Sequence, residues 1–166
     1  MRRLVIDTNV YIDWLNQGRH EDVLFQPDAV KYLSAVVLME LRAGAVLRGD
    51  RRLLQRLETA FERAGRILTP SQALFAEAGD TLRRLQGEAG YDIGGSHSIA
   101  NDVLIALSAR SIGATVVTQN ERDYRAIDGA PTTRARGGPL SPNGTCPGTG
   151  RRPGRRSARS LRRRRP

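Results

Sequence analysis

The sequence predicts an α/β domain of three layers, α/β/α, around a mostly parallel sheet. Three observations lead there. Short β-branched apolar runs at residues 4–6, 32–37 and 114–118 recur between longer stretches whose apolar residues follow helical spacing. The first two lead directly into a helix, as strands joined by helical crossovers do. The alternation is complete within the first 130 of 166 residues, a length that suits one domain.

Leu4-Val5-Ile6 reads as a buried strand that stops at Asp7-Thr8-Asn9 and opens a helix through Val10–Leu15. Tyr32–Val37 reads as a second strand, followed by a helix that carries Leu38, Glu40, Leu41 and Ala43 and meets Gly44. Asp50 is a plausible N-cap for an amphipathic helix over Arg51–Ala64, with Leu53, Leu54, Leu57 and Phe61 on one face. A third strand is expected at Arg66–Leu68. Pro70 and Ser71 then open a helix to about Glu88, with Leu74, Phe75, Ala78, Leu82 and Leu85 turned inward. Residues 89–98 form a Gly-rich connection, in which Gly94-Gly95-Ser96 is too short for a phosphate loop. Ile99–Ile112 is helical again, supplying Val103, Ile105, Ala106 and Ala109 to the core, and Gly113 closes it. Ala114–Thr118 is a short buried strand, followed by a loop and a helical turn to Asp123. Tyr11 and Trp14 are expected in the core or facing a partner, and Met39 in the core.

Bulk composition bounds the function. The formal charge is +10, but 11 of the 27 basic residues lie in residues 131–166, which hold no acid; residues 1–130 carry 16 basic and 17 acidic residues. The basicity therefore belongs to a tail rather than to the fold. The only Cys, Cys146, lies in that tail, so no intrachain disulfide forms and a reducing compartment fits. No apolar run reaches the roughly 20 residues that span a bilayer, so a cytoplasmic protein with no membrane contact is expected.

Four acids occupy positions unusual for surface charges. Asp7 follows the first strand, Glu40 is flanked by Leu38, Met39 and Leu41, Asp102 begins the apolar helix NDVLIALSA, and Asp123 follows the VVT strand by five residues. Each alone has a plain alternative: a turn or N-cap for Asp7, a helix cap for Asp102, a solvent edge for Glu40, a charged surface helix for Asp123. Asp7 and Asp123 lie just past the carboxyl ends of parallel strands and so at one sheet edge, where open α/β sheets bind ligands, and the joint occurrence of all four acids in one order favours a functional cluster there. Like charges about 4 Å apart repel by about 4 kcal/mol at an effective dielectric of 20, so such a cluster calls for a cation. Oxygen donors suit Mg²⁺ or Mn²⁺.

The segments LVIDTNVYI (4–12), LSAVVLMELRAG (33–44), IANDVLIALSA (99–109) and ATVVTQNERDYRAI (114–127) resemble, in order and spacing, the signature stretches of PIN-domain ribonucleases, and most of all the VapC toxins of type II toxin–antitoxin pairs. The resemblance covers about residues 1–127. It implies a PIN-like fold and metal-dependent hydrolysis of RNA phosphodiester bonds, with Asp7, Glu40, Asp102 and Asp123 catalytic. Asp7 and Asp102 would hold the ion, and Asn9, Thr118 and Asn120 would support them. Asp123 is the fourth acid of choice and Asn120 the second. A VapB-like antitoxin covering the crevice and a homodimer are further implications. His97 is read as a loop or cap residue, with proton donation the alternative.

Residues 131–166 contain no apolar pattern that could form a core and are read as a disordered tail. Nothing after Ile127 reads as the final strand that relatives of this fold carry, so the sheet is expected without it. The tail is read either as a frame-shifted or read-through end that replaces that strand, or as a basic arm that holds RNA by its phosphates. The missing strand and the basic tail together give an alternative function, a catalytically silent RNA- or protein-binding module.

Overall fold

The computed structural model describes residues 1–89, 97–127 and 132–135. Gly94-Gly95-Ser96, the side chain of His97 and residues 136–166 of the expected tail lie outside the described residues. In chain order the elements are β1 (Arg2–Ile6), α1 (Thr8–Gln17), α2 (Glu21–Phe25), β2 (Ala29–Ser34), α3 (Ala35–Gly44), α4 (Arg48–Arg63), β3 (Ile67–Leu68), α5 (Gln72–Ala89), α6 (His97–Ser111), β4 (Thr115–Thr118), α7 (Glu121–Ala126) and β5 (Thr132–Arg134).

The strands form one sheet in the order β3-β2-β1-β4-β5, and every pairing is parallel. With helices as the crossovers this is the expected three-layer α/β/α architecture. β1 is central, and its Val5 and Ile6 are fully buried, as the near-continuous apolar composition of a strand covered on both faces requires. The chain builds outward from β1 through β2 to β3, then crosses back to lay β4 on β1's other side. The order therefore reverses between β1 and β4, the place where a crevice opens beyond the strand ends. The backbone N–H of Asp7 donates to the Val117 carbonyl at 2.9 Å, so Asp7 is tied to the last rung of the β1–β4 ladder at that point.

Helix ends follow their local chemistry. Gly18 takes φ 66° and its N–H donates to the Trp14 carbonyl at 2.8 Å, ending α1; Gly113 at φ 62° does the same after α6, donating to Arg110. The core is built from β1, β4 and α6, where Val103, Ile105, Ala106, Leu107 and Ala109 are all buried.

The structure corrects the sequence reading in several places. β2 ends at Ser34, and Ala35-Val36-Val37 begin α3: the Ser34 hydroxyl accepts the Val36 N–H at 3.2 Å and caps the helix, which overrides the strand preference of two valines. α4 starts at Arg48, leaving Asp50 in the first turn rather than at the cap. Met39 is 53% exposed and Phe75 is 55% exposed, so neither is core. The short α2 has too few residues to show a period.

The final strand is present. β5 pairs parallel with β4, Val116 with Thr132 through Thr118 with Arg134, and the N–H of buried Ala135 donates to the Thr118 carbonyl at 3.1 Å. Residues 132–134 thus belong to the sheet and not to the disordered tail expected from residue 131. A three-residue edge strand has no room for an alternating pattern, and its two adjacent β-branched threonines are its only sequence signal.

Candidate active site

Asp7 is the centre of the crevice. It is 3% exposed and caps α1, its Oδ1 accepting the Thr8 N–H at 2.7 Å. Its Oδ2 accepts from the Asn9 amide at 2.7 Å and from the Thr118 hydroxyl at 2.7 Å. The Thr118 hydroxyl spends its single proton on Asp7 and both its lone pairs on donors, Asn9 Nδ2 at 3.2 Å and the Asn120 N–H at 2.9 Å. Of the residues expected to support Asp7, Asn9 and Thr118 thus bond it through their side chains, and Asn120 joins the network through its backbone N–H. Burial raises the Asp7 pKa above the ordinary carboxylate value; the Thr118 and Thr8 hydrogen bonds oppose that rise, and the nearby charge of Glu40 adds to it.

Glu40, on α3, is joined to the same turn by Thr8, whose hydroxyl donates to Glu40 Oε2 while its N–H holds Asp7. The Asn101 amide of α6 donates to Glu40 Oε1 at 3.0 Å. Both carboxylate oxygens of Glu40 are thereby fixed by residues 32 and 61 positions away. Asp123 accepts from the Asn120 amide at 2.6 Å, so the two candidates for the fourth position are in contact with each other. Asp123 connects back to Asp7 through Asn120 and Thr118. Half-buried Asp102 lies in the first half of α6, one residue after Asn101.

Tyr124 shows where these groups converge. Its hydroxyl is buried without a hydrogen bond among the described residues, and its pKa is raised well above the ordinary value, first by burial and then by the charges of Asp7, Asp102 and Glu40. The hydroxyl comes close enough to Asp7 to favour its ionised form without reaching hydrogen-bond geometry. Three of the four predicted acids thus act on one buried phenol.

The arrangement is a network and not a closed cage. Among the described residues, no three His, Cys, Asp or Glu side chains gather tightly enough to enclose an ion. A hydrated Mg²⁺ or Mn²⁺ does not need such a cage, since Mg²⁺ commonly keeps several waters and takes one or two carboxylates. The donors around Asp7 and Glu40 are oxygens and amides, Asp7 has three of its four lone-pair sites filled, and among the described residues no positive side chain pairs with it. On these grounds the residues present fit such an ion. Sequence reasoning missed Thr8 and Asn101 as the holders of Glu40, and Tyr124; the only signal for the first two was that each stands next to a predicted acid.

A family model for the PIN domain matches residues 4–130. Among solved structures the chain is similar to FitAcB from Neisseria gonorrhoeae, at 29% identity over 78% of this chain and 96% of that chain with a TM-score of 0.56. It is also similar to VapBC-5 from Mycobacterium tuberculosis, a member of the VapBC family of toxin–antitoxin systems, at 28% identity, 82% and 99% coverage and a TM-score of 0.50. DNA-bound VapBC from Salmonella typhimurium aligns at 23% identity, 82% and 100% coverage and a TM-score of 0.63. No curated protein matches the chain.

Proposed function

The chain belongs to the PIN-domain family, and from that premise we propose that it is a metal-dependent endoribonuclease, the toxin of a VapBC-like pair. The observation that carries this reading is Asp7: a buried carboxylate at the switch point between β1 and β4, held by three donors, with Glu40 and Asp102 acting on the same space. Asp7 and Asp102 would hold Mg²⁺ or Mn²⁺, which supplies Lewis acidity by acidifying a water and offsetting the charge that builds on the phosphate. Thr8 and Asn101 fix Glu40 so that it can orient that water, and Asn120 does the same for Asp123. Asn9 and Thr118 keep the Asp7 carboxylate turned into the crevice.

RNA is the substrate in this reading, and the protein works in the cytoplasm. No helix among the described residues is long and apolar enough to cross a membrane. A VapB-like antitoxin and a homodimer follow from the same reading; complexes in the VapBC and FitAB class among the neighbours support the antitoxin. The silent-module alternative drew half its motive from an absent final strand, and β5 removes that motive.

Purified full-length chain supplied with Mg²⁺ or Mn²⁺ should cleave single-stranded RNA, and Asp7→Asn should abolish the cleavage. Equal cleavage by wild type and variant would assign it to a contaminant and overturn the reading.

A further inference from the structure

Behind the crevice lies a second polar cluster that the proposed chemistry leaves unused. His20 is 3% exposed and stands at φ 64°, ψ 20°, the left-handed region that side chains other than Gly seldom adopt, although His is among the residues enriched there. Such a conformation persists only where the surroundings over-determine it. Here the surroundings are polar: His20 Nε2 lies 2.9 Å from the Gln119 amide nitrogen and 3.4 Å from Asp13 Oδ2, and the same Gln119 nitrogen donates to Asp13 Oδ2 at 2.8 Å. A carboxylate can only accept, so the Gln119 NH₂ must face Asp13 and therefore also His20. His20 Nε2 is then placed to accept from that amide, and the buried Nδ1 has no hydrogen-bond partner among the described residues.

Gln119 follows directly on Thr118 at the end of β4, and its backbone N–H donates to Asn9 Oδ1 at 3.2 Å. Asn9 in turn donates to Asp7 Oδ2 at 2.7 Å. The connections thus run from α1 and the start of α2, through the residue after β4, to the carboxylate at the centre of the crevice. We infer that His20, Asp13 and Gln119 form a positioning relay that locks the turn after β4 and, through Asn9, sets the orientation of the Asp7 carboxylate. The residues in it are positioning residues: none touches the reacting groups. The relay accounts for a buried imidazole kept in a strained backbone conformation, where Gly would adopt the backbone freely but would leave the Gln119 amide with one partner instead of two.

The inference rests on the reading of Asp7 as the functional centre, and two measurements on full-length chain keep the two separable. The first is the NMR signal of the Asn9 side-chain amide, identified by its loss in Asn9→Ala. It should shift in both Gln119→Ala and His20→Asn; Gln119 is exposed, so its truncation leaves the fold intact, and Asn tolerates the left-handed region. The second is RNA cleavage, where both variants should lower kcat about tenfold and leave KM within about twofold, the split expected when a reacting group is misplaced but substrate binding is kept. An unmoved Asn9 signal, or a shifted signal with unchanged kcat, overturns the relay. If wild type cleaves no RNA, the proposed function fails while the Asn9 signal still decides whether the relay exists.

Discussion

Asp7 unites three tasks in one side chain: it ends the β1–β4 ladder, caps α1 and presents a charge to the crevice. The first two stabilise the fold, and the third opposes it, because burial raises its pKa above the ordinary carboxylate value. For an acid whose folded pKa exceeds its unfolded one, the folded state holds the proton longer, so stability present below the unfolded pKa is lost as pH rises through the folded value. Wild type should therefore lose thermal stability relative to Asp7→Asn, which does not titrate, as pH rises from below 3.8 toward neutrality in metal-free buffer; a difference independent of pH would refute the shift. Thr118 is the hub that makes the buried charge tolerable. Thr118→Val keeps the shape but strands the donors of Asn9 and Asn120, and should cost about 1–3 kcal/mol in urea unfolding together with most of the RNA cleavage. Asp7 was legible in the sequence because it stands just past the end of a strand, whereas Asn9 and Thr118 came into view only through the family resemblance. The partners of Glu40 were not, since only the fold brings Thr8 and Asn101 to a residue 32 and 61 positions away.

At the scale of elements, the helix that carries Glu40 is registered by a small polar residue at its start. Ser34 caps α3, and Glu40 lies one and a half turns further on, so the cap fixes where the Glu40 carboxylate falls relative to Thr8. Replacing Ser34 with Ala should lower stability by about 1 kcal/mol in urea unfolding, with kcat falling and RNA affinity kept. A variant as stable and as active as wild type would show that packing alone sets α3. The sequence reading placed this boundary three residues late because Val36 and Val37 continue a β-branched run, and a hydroxyl hydrogen bond outweighs that weak preference. The long helices α4, α5 and α6 were legible in the sequence, though the starts of α4 and α6 were not; α2 and β5 are five and three residues long and too short to carry a period.

At the scale of the whole molecule, charge and fold divide the chain at different places. Composition changes near Asp128, yet the sheet continues through β5 to Ala135, so the strand that completes the sheet lies beyond the point where acids cease. Ten of the 27 basic residues follow Ala135, whereas the crevice is built wholly from residues before it. Two truncations separate the contributions. A chain ending at Ala135 keeps β5 and all the crevice residues; it should unfold at the same temperature as full-length protein and cleave RNA with the same kcat. If the tail is a basic arm, the truncated chain will bind RNA more weakly, with a salt dependence shallower by about 0.7 for each arginine that neutralises a phosphate. A chain ending at Ile127 loses β5, uncovers the edge of β4 and removes the bond from Ala135 to the Thr118 carbonyl, on the residue whose hydroxyl holds Asp7. Its midpoint should fall by several degrees, about 1–2 kcal/mol for a domain of this size, and cleavage should fall with it. Equal stability of the two truncated chains would mean that β5 contributes nothing to the fold; an unchanged salt slope on removal of residues 136–166 would mean that the ten arginines play no part in holding RNA.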